Sequence, residues 1–143
     1  MTLNVKFKKL NKNAVTPSYS KPGDAGLDLT AVDVLHDPAA GMIEYDTGIA
    51  VEIPEGYVGL LFPRSSVSNK PLFLSNSVGV LDSSYRGPIK FKYRLLNTRQ
   101  THYVAGERIG QLVILPNPKV SLEEVSELSE SERGSGGFGS TGA

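Results

Sequence analysis

The sequence predicts an all-β chain folded as a single domain into a sandwich or jelly-roll-like β-barrel. Three observations carry this. Apolar and polar residues alternate with a period of two over Ile43–Ile53, and again at Ile89, Phe91, Tyr93 and Leu95 against Lys90, Lys92 and Arg94. Proline and glycine punctuate the chain at Pro22-Gly23, Pro54-Glu55-Gly56, Gly87-Pro88 and Ala105-Gly106. No long amphipathic helix is visible, and many short strands with turn signals at this spacing build sandwiches, jelly rolls and barrels.

In chain order, short strands are expected at Val5–Leu10 and Leu27–Ala31, and a long half-buried one over Ile43–Ile53. In that strand Ile43, Tyr45, Thr47, Ile49, Val51 and Ile53 share one face. Further strands are expected at Tyr57–Phe62, Leu72–Leu74, Thr101–Val104 and Ile109–Leu115. Ser65–Lys70 suits one helical turn, and Leu122–Leu128 reads equally as strand or helix.

The stretch Gly79–Phe91 reads as a hairpin. Val80 and Leu81 close its first segment, Asp82-Ser83-Ser84 makes the turn, and the second segment opens at Ile89 after Pro88. The turn carries a carboxylate, the Tyr85 ring and Arg86, which is more chemistry than a turn requires. The ordinary alternative is a local hydrogen-bonding role for Asp82 and a packing role for Tyr85.

At 143 residues the chain is long enough to bury a core without cross-links. It has no cysteine and only His36 and His102, so neither thiolate chemistry nor a zinc site is expected. Met1–Lys6 has no signal-like apolar core, and apolar runs such as Leu112–Leu115 are far too short for a bilayer. A soluble cytoplasmic protein is expected, or one of the host cytoplasm or nucleus if the source is viral.

The 15 basic and 15 acidic residues balance, which argues against a general nucleic-acid binder. Five glutamates without a base fall in 120–132, and five Lys/Arg without an acid in 83–106. A positive field beside the hairpin suits a small polyanion.

The segment Arg133–Gly142 holds five of the 15 glycines and cannot sustain a regular element. Its G-x-G-x-x-G string, Gly134 to Gly139, is empty as a dinucleotide signature, because only four residues follow. A disordered tail is one reading. The other is an arm that orders over a ligand, with successive glycine N–H groups around phosphate oxygens.

Five segments together resemble the trimeric dUTPases, the deoxyuridine triphosphate nucleotidohydrolases. They are Asp24–Leu29, Pro63–Ser66, Gly79–Phe91, Gly106–Leu112 and Arg133–Gly142, in family order over nearly the whole chain. The resemblance implies hydrolysis of dUTP to dUMP and pyrophosphate with Mg2+. That reaction keeps uracil out of DNA and supplies dUMP for thymidylate synthesis. It implies a barrel domain over residues 1–132, a flexible arm over 133–143, and a homotrimer whose sites are shared between subunits.

Residue by residue, Asp82 is similar to the carboxylate that orients and deprotonates the attacking water. An aspartate in water is a weak base, so general-base action would supply only about 10²–10⁴-fold. Positioning and neutralisation of phosphate charge would provide the rest. Tyr85 resembles the ring under the deoxyribose. Gly79, Val80 and Leu81 resemble the main chain that reads uracil, with the Asn76 side chain assisting. A site built for one donor–acceptor pattern rejects the reversed pattern of cytosine by about 10⁴–10⁵. Thymine has uracil's pattern, so close backbone near Gly79 is expected to refuse its methyl group.

Arg64, Ser65, the Ser66 amide and Gln111 resemble phosphate contacts, and Lys90 is placed to reach the nucleotide. Arg64 has the alternative of a surface charge, Ser65 of a helix N-cap and Gln111 of a solvated strand position. Magnesium rides on substrate phosphates and keeps several waters, and Asp28 resembles the carboxylate that holds those waters. Arg108 is expected to brace the hairpin. Arg133 resembles a γ-phosphate contact and Phe138 the ring that stacks on uracil, with Gly139, Ser140 and Thr141 beside the terminal phosphates.

Two positions depart from the family pattern. Ser66-Val67 stands for Gly-Leu, narrowing backbone freedom, and Gly110 stands for alanine, an exchange expected to loosen its strand. The related dCTP deaminases need a glutamate after the hairpin, and 83–106 has no carboxylate. A binding or regulatory protein on the same fold would have no need of Asp82.

Overall fold

The computed structural model describes residues 2–97 and 101–142. Arg99, one of the five bases counted above, lies outside them, as does Ala143 of the arm. Ten strands follow in order: β1 Lys6–Lys9, β2 Leu27–Thr30, β3 Asp33–Asp37, β4 Met42–Asp46, β5 Ile49–Glu52, β6 Tyr57–Phe62, β7 Leu72–Leu74, β8 Gly79–Leu81, β9 Lys90–Leu95 and β10 Arg108–Pro116. One short 3₁₀ helix, η1, spans Ser65–Asn69. Two four-stranded antiparallel sheets, in the orders β2-β10-β6-β8 and β3-β4-β9-β7, stand beside a two-stranded sheet, β1-β5. This is the all-β architecture that the alternation demands.

Each sheet contributes its apolar face to one core. Leu29, Leu61, Leu81, Ile109 and Leu112 come from the first sheet, and Ile43, Tyr45, Leu72, Leu74, Phe91 and Tyr93 from the second. The polar tips of the two central tyrosines are satisfied, as buried phenols require. The Tyr45 hydroxyl donates to the Tyr103 carbonyl at 2.8 Å and the Tyr93 hydroxyl to the Ile109 carbonyl at 2.6 Å. Burial pushes both phenols well above their ordinary titration range.

Four expectations need correction. The alternation over Ile43–Ile53 is two strands rather than one. The chain breaks at Thr47-Gly48, where Gly48 takes a φ of +64° and its N–H donates to Asp46 Oδ1 at 2.8 Å. β4 then stays in the second sheet while β5 pairs with β1, and the continuous period arises because both pieces face the same core. The two arms of the expected hairpin do not pair with each other. β8 pairs with β6, whereas β9 lies between β4 and β7, so the turn at 82–89 crosses from one sheet to the other.

Thr101–Val104 is loop, although Tyr103 within it is buried. Its alternation reflects one anchored ring. Leu122–Leu128 forms neither helix nor strand and is exposed throughout. The edge strand β3 is not evident in the sequence, because four of its five residues are exposed and no polar–apolar alternation marks it. The single helical turn expected after Arg64 is present as η1.

Candidate active site

The candidate residues gather in two clefts and one free segment. The first cleft, of about 210 Å³, is lined by Leu61, Asn76, Gly79, Val80, Leu81, Asp82, Tyr85, Pro88 and Lys90. It therefore brings together seven of the residues expected to hold a nucleoside. β8 supplies the main chain, and the turn after it presents Asp82 with its side chain exposed. The Tyr85 N–H closes that turn on the Asp82 carbonyl at 3.1 Å.

Tyr85 is pinned despite being exposed. Its hydroxyl donates to the Pro88 carbonyl at 2.8 Å, and the ring lies where a Cβ on Gly87 would stand, 2.5 Å from the hydroxyl oxygen. Gly87 thus makes room for the ring, a role its place beside Pro88 does not reveal. Gly79 is needed for another close approach: a Cβ there would meet the Leu61 side chain at 2.9 Å, across the β6–β8 ladder. Lys90 Nζ is held by Glu44 at 3.0 Å, with Asp46 at 3.9 Å. The hydrogen bond to Glu44, and the charges of both carboxylates, raise the Lys90 ammonium above its ordinary value.

Arg86 ties the turn to the barrel, donating to the Ser83 carbonyl at 2.6 Å and pairing with Glu52 at 3.3 Å. The bracing role expected of Arg108 therefore belongs to Arg86. Arg108 opens β10 opposite Thr30, beside β2, and its guanidinium goes to Ser20 Oγ at 2.8 Å and Asp28 Oδ2 at 3.2 Å.

The second cleft, of about 230 Å³, is lined by Ser20, Asp24, Ala25, Gly26, Asp28, Arg64, Ser65 and Gln111. Asp28 is its electrostatic centre. Arg64 Nε donates to Oδ1 at 2.9 Å, while Ser20 at 2.5 Å and Arg108 both donate to Oδ2. Burial works to raise the Asp28 carboxyl, but the Ser20 hydroxyl and the two guanidinium groups outweigh it and hold the group below the usual carboxylate range. Gln111 donates to the Pro63 carbonyl at 3.0 Å, and its side chain fills the space a Cβ at Gly26 would take. Ser20 is a site residue for which the sequence offers no signal.

Ser65 is the first residue of η1 and is exposed, while Arg64, the residue before it, makes no side-chain cap. Ser66 does not line the cleft; its hydroxyl meets the Tyr103 hydroxyl at 2.7 Å. Gly110 is buried, and a Cβ there would overlap Cε1 and Cζ of Phe91. The exchange expected to loosen β10 instead seats an aromatic ring.

Arg133, Phe138, Gly139, Ser140 and Thr141 line neither cleft. Arg133 Nε donates to the Gly136 carbonyl at 2.7 Å, and the hydrogen bonds of 133–142 stay within 131–142. Phe138 stands fully exposed with a φ of +50°.

The family model for dUTPase matches residues 12–142. This chain belongs to the dUTPase family. It is 44% identical over 138 residues to the deoxyuridine 5'-triphosphate nucleotidohydrolase of Hydrogenobaculum sp., covering 94% of this chain and 95% of the relative. It is 43% identical to that of Thermobifida fusca, covering 99% and 80%. Among solved dUTPases, a Staphylococcus bacteriophage 80alpha variant with dUpNHpp superposes with a TM-score of 0.84 at 33% identity, covering 99% of this chain and all of that one. A dUTPase variant from phage phi11 of S. aureus, described with a structural Mg(II) ion, superposes with a TM-score of 0.73 at 27% identity over 87% of this chain and 98% of that one.

Proposed function

We propose that this chain hydrolyses dUTP to dUMP and pyrophosphate, with Asp82 delivering water to the α-phosphorus. The observation that carries the reading is the first cleft: an exposed carboxylate and a pinned aromatic ring stand on one turn, beside the main chain of β8. The relatives named for dUTP hydrolysis at over 40% identity support the same chemistry.

The uracil edge would lie along Gly79–Leu81 and Asn76, and the deoxyribose on Tyr85. A ribose 2′-hydroxyl would press into that ring. Asp82 would take the proton of the attacking water as the bond to phosphorus forms and the bond to the β-phosphate oxygen breaks. Arg64, Ser65, the Ser66 amide and Gln111 would bind phosphate oxygens, with Lys90 and the arm residues Arg133, Phe138, Gly139, Ser140 and Thr141 completing the enclosure. Much of the rate would come from this preorganised charge rather than from the base.

Among the described residues no group of three or more His, Cys, Asp or Glu could hold a metal ion. That donor set suits Mg2+ carried on the triphosphate. Asp28 Oδ1 accepts one protein donor where Oδ2 accepts two, which leaves it capacity for a metal-bound water. When bound, Mg2+ would neutralise phosphate charge.

Among the described residues the two clefts are separate and neither is lined by the arm, which supports a homotrimer with sites shared between copies. We take 1–132 as the barrel domain and 133–143 as the arm. Among the described residues no helix is long and apolar enough to cross a membrane; cytoplasm is the setting we propose.

The test is pyrophosphate release from dUTP, dTTP, dCTP and UTP in the presence of Mg2+. Release from dUTP at least about a hundredfold faster than from the other three is expected. Comparable rates on all four, or deamination of dCTP, would overturn the assignment.

A further inference from the structure

Tyr103 lies in the loop before β10 with 3% of its surface exposed. Its ring meets Tyr45 edge-on at 6.2 Å and Tyr93 at 6.3 Å. Its carbonyl accepts the Tyr45 hydroxyl at 2.8 Å and lies 2.9 Å from His102 Nδ1. Backbone and ring are therefore both fixed to the core, and a buried phenol still needs a partner for its oxygen. That partner is Ser66 Oγ at 2.7 Å.

Ser66 lies near the start of η1. Lys70, the residue that follows the last of η1, places Nζ over the same tyrosine ring, 5.0 Å from its centroid. One side chain thus meets the helix near its start and the residue just after its end. The other holds on the helix are the half-buried Val67, packed against the core, and the Ser68 hydroxyl, which donates to the Ser65 carbonyl at 2.7 Å. None of its residues is fully buried, its N-cap makes no side-chain bond, and its first turn has no acid. A 3₁₀ turn of this length has poor hydrogen-bond geometry of its own.

We propose that Tyr103 is a positioning residue for the phosphate cleft, setting the orientation of Arg64, Ser65 and the Ser66 amide through its hydroxyl contact with Ser66. This rests on reading those three residues as phosphate contacts. With glycine at position 66 the hydroxyl contact would not exist, so the device belongs to the pair of residues found in this chain. It acts on the triphosphate end of the substrate and leaves base recognition, which belongs to the other cleft, untouched.

The test is a double-mutant cycle of Tyr103→Phe and Ser66→Ala, read by steady-state kinetics and by hydrogen exchange of the Val67 and Lys70 amides. Those amides donate to Arg64 and Val67 carbonyls at 3.0 and 2.9 Å. Tyr103→Phe should speed their exchange and lower kcat/KM for dUTP about tenfold, with the dUTP-to-dTTP ratio unchanged. The double variant should match either single one, because both remove the same contact.

Unchanged exchange in Tyr103→Phe, additive losses, or a collapse of base discrimination would overturn the proposal. If Tyr103→Phe does not fold, Ser66→Ala alone decides through the same exchange readout, since Ser66 is not in the core. If the parent protein releases no pyrophosphate from dUTP, the functional reading fails, while exchange still reports whether Tyr103 holds the helix.

Discussion

The Tyr85 ring occupies the space in which a side chain at Gly87 would begin. A methyl group at 87 would stand 2.5 Å from the Tyr85 hydroxyl oxygen and 2.7 Å from Cζ, so the ring must swing and its bond to the Pro88 carbonyl must break. Gly87→Ala should raise KM for dUTP several-fold and narrow the preference for dUTP over UTP. Thermal stability should hardly move, because the ring is 42% exposed. Kinetics with both nucleotides and a melting curve check this; undiminished discrimination would remove Tyr85 from the sugar platform.

Asp82 lies on the same turn with its carboxylate open to solvent. Replacing it by asparagine keeps the shape and removes the proton acceptor. Asp82→Asn should lower kcat by about 10²–10⁴-fold and leave the affinity for a non-hydrolysable dUTP analogue within a few-fold. Single-turnover kinetics and calorimetric binding separate the two effects. Near-normal kcat would assign the turn to binding alone.

In the second cleft, acid sensitivity should originate at Asp28. Its carboxyl titrates lower in the folded chain than in the unfolded one, so its ion pairs stabilise the fold fully above the unfolded value. The contribution is lost as pH falls below about 4 and through the depressed folded value. Asp28→Asn should cost on the order of 2 kcal/mol at neutral pH, the scale of a hydrogen bond to a charged group. The gap to the parent protein should close in acid. Urea unfolding from pH 7 to pH 3 measures it; a gap that persists at pH 3 would mean that packing rather than charge holds Arg64 and Arg108.

How far the site could be read from residues alone depends on how local each contact is. That Asp82, Tyr85 and Asn76 share one cleft was legible, because one turn and its flanking residues carry them there. Ser20 and Tyr103 were not, since each reaches its partner only through tertiary pairing: Ser20 to Arg108 across 88 residues, and Tyr103 to Ser66 across 37. The strand pattern was legible wherever one face is buried. It misled at Thr47-Gly48, where two strands share a core face while belonging to different sheets.

Gly110 was misread for the same reason. Its neighbour in space is the Phe91 ring, which is 1% exposed and stacks on Tyr93 with centroids 6.3 Å apart. The ring has no room to retreat. Gly110→Ala should therefore destabilise the fold by about 1–3 kcal/mol, the usual cost of overpacking. Adding Phe91→Leu should recover most of the loss. Chemical denaturation of the single and double variants decides; a stabilising Gly110→Ala would show that backbone entropy outweighs the clash.

The arm offers the sharpest separation of stability from turnover. Among the described residues, 133–142 bond within their own neighbourhood, and Phe138 leaves its whole ring in solvent. On the reading proposed above, that ring contributes in a state in which the segment lies over nucleotide. Deleting 133–143 should leave the melting temperature within a few degrees of the full chain. It should lower kcat/KM for dUTP by about 10²-fold or more if the proposed closure excludes water and completes a phosphate grip. Phe138→Ala should reproduce part of that loss through KM, and Arg133→Ala part of it through kcat. A truncated chain of full activity would show that the two clefts suffice and that the arm serves something other than catalysis.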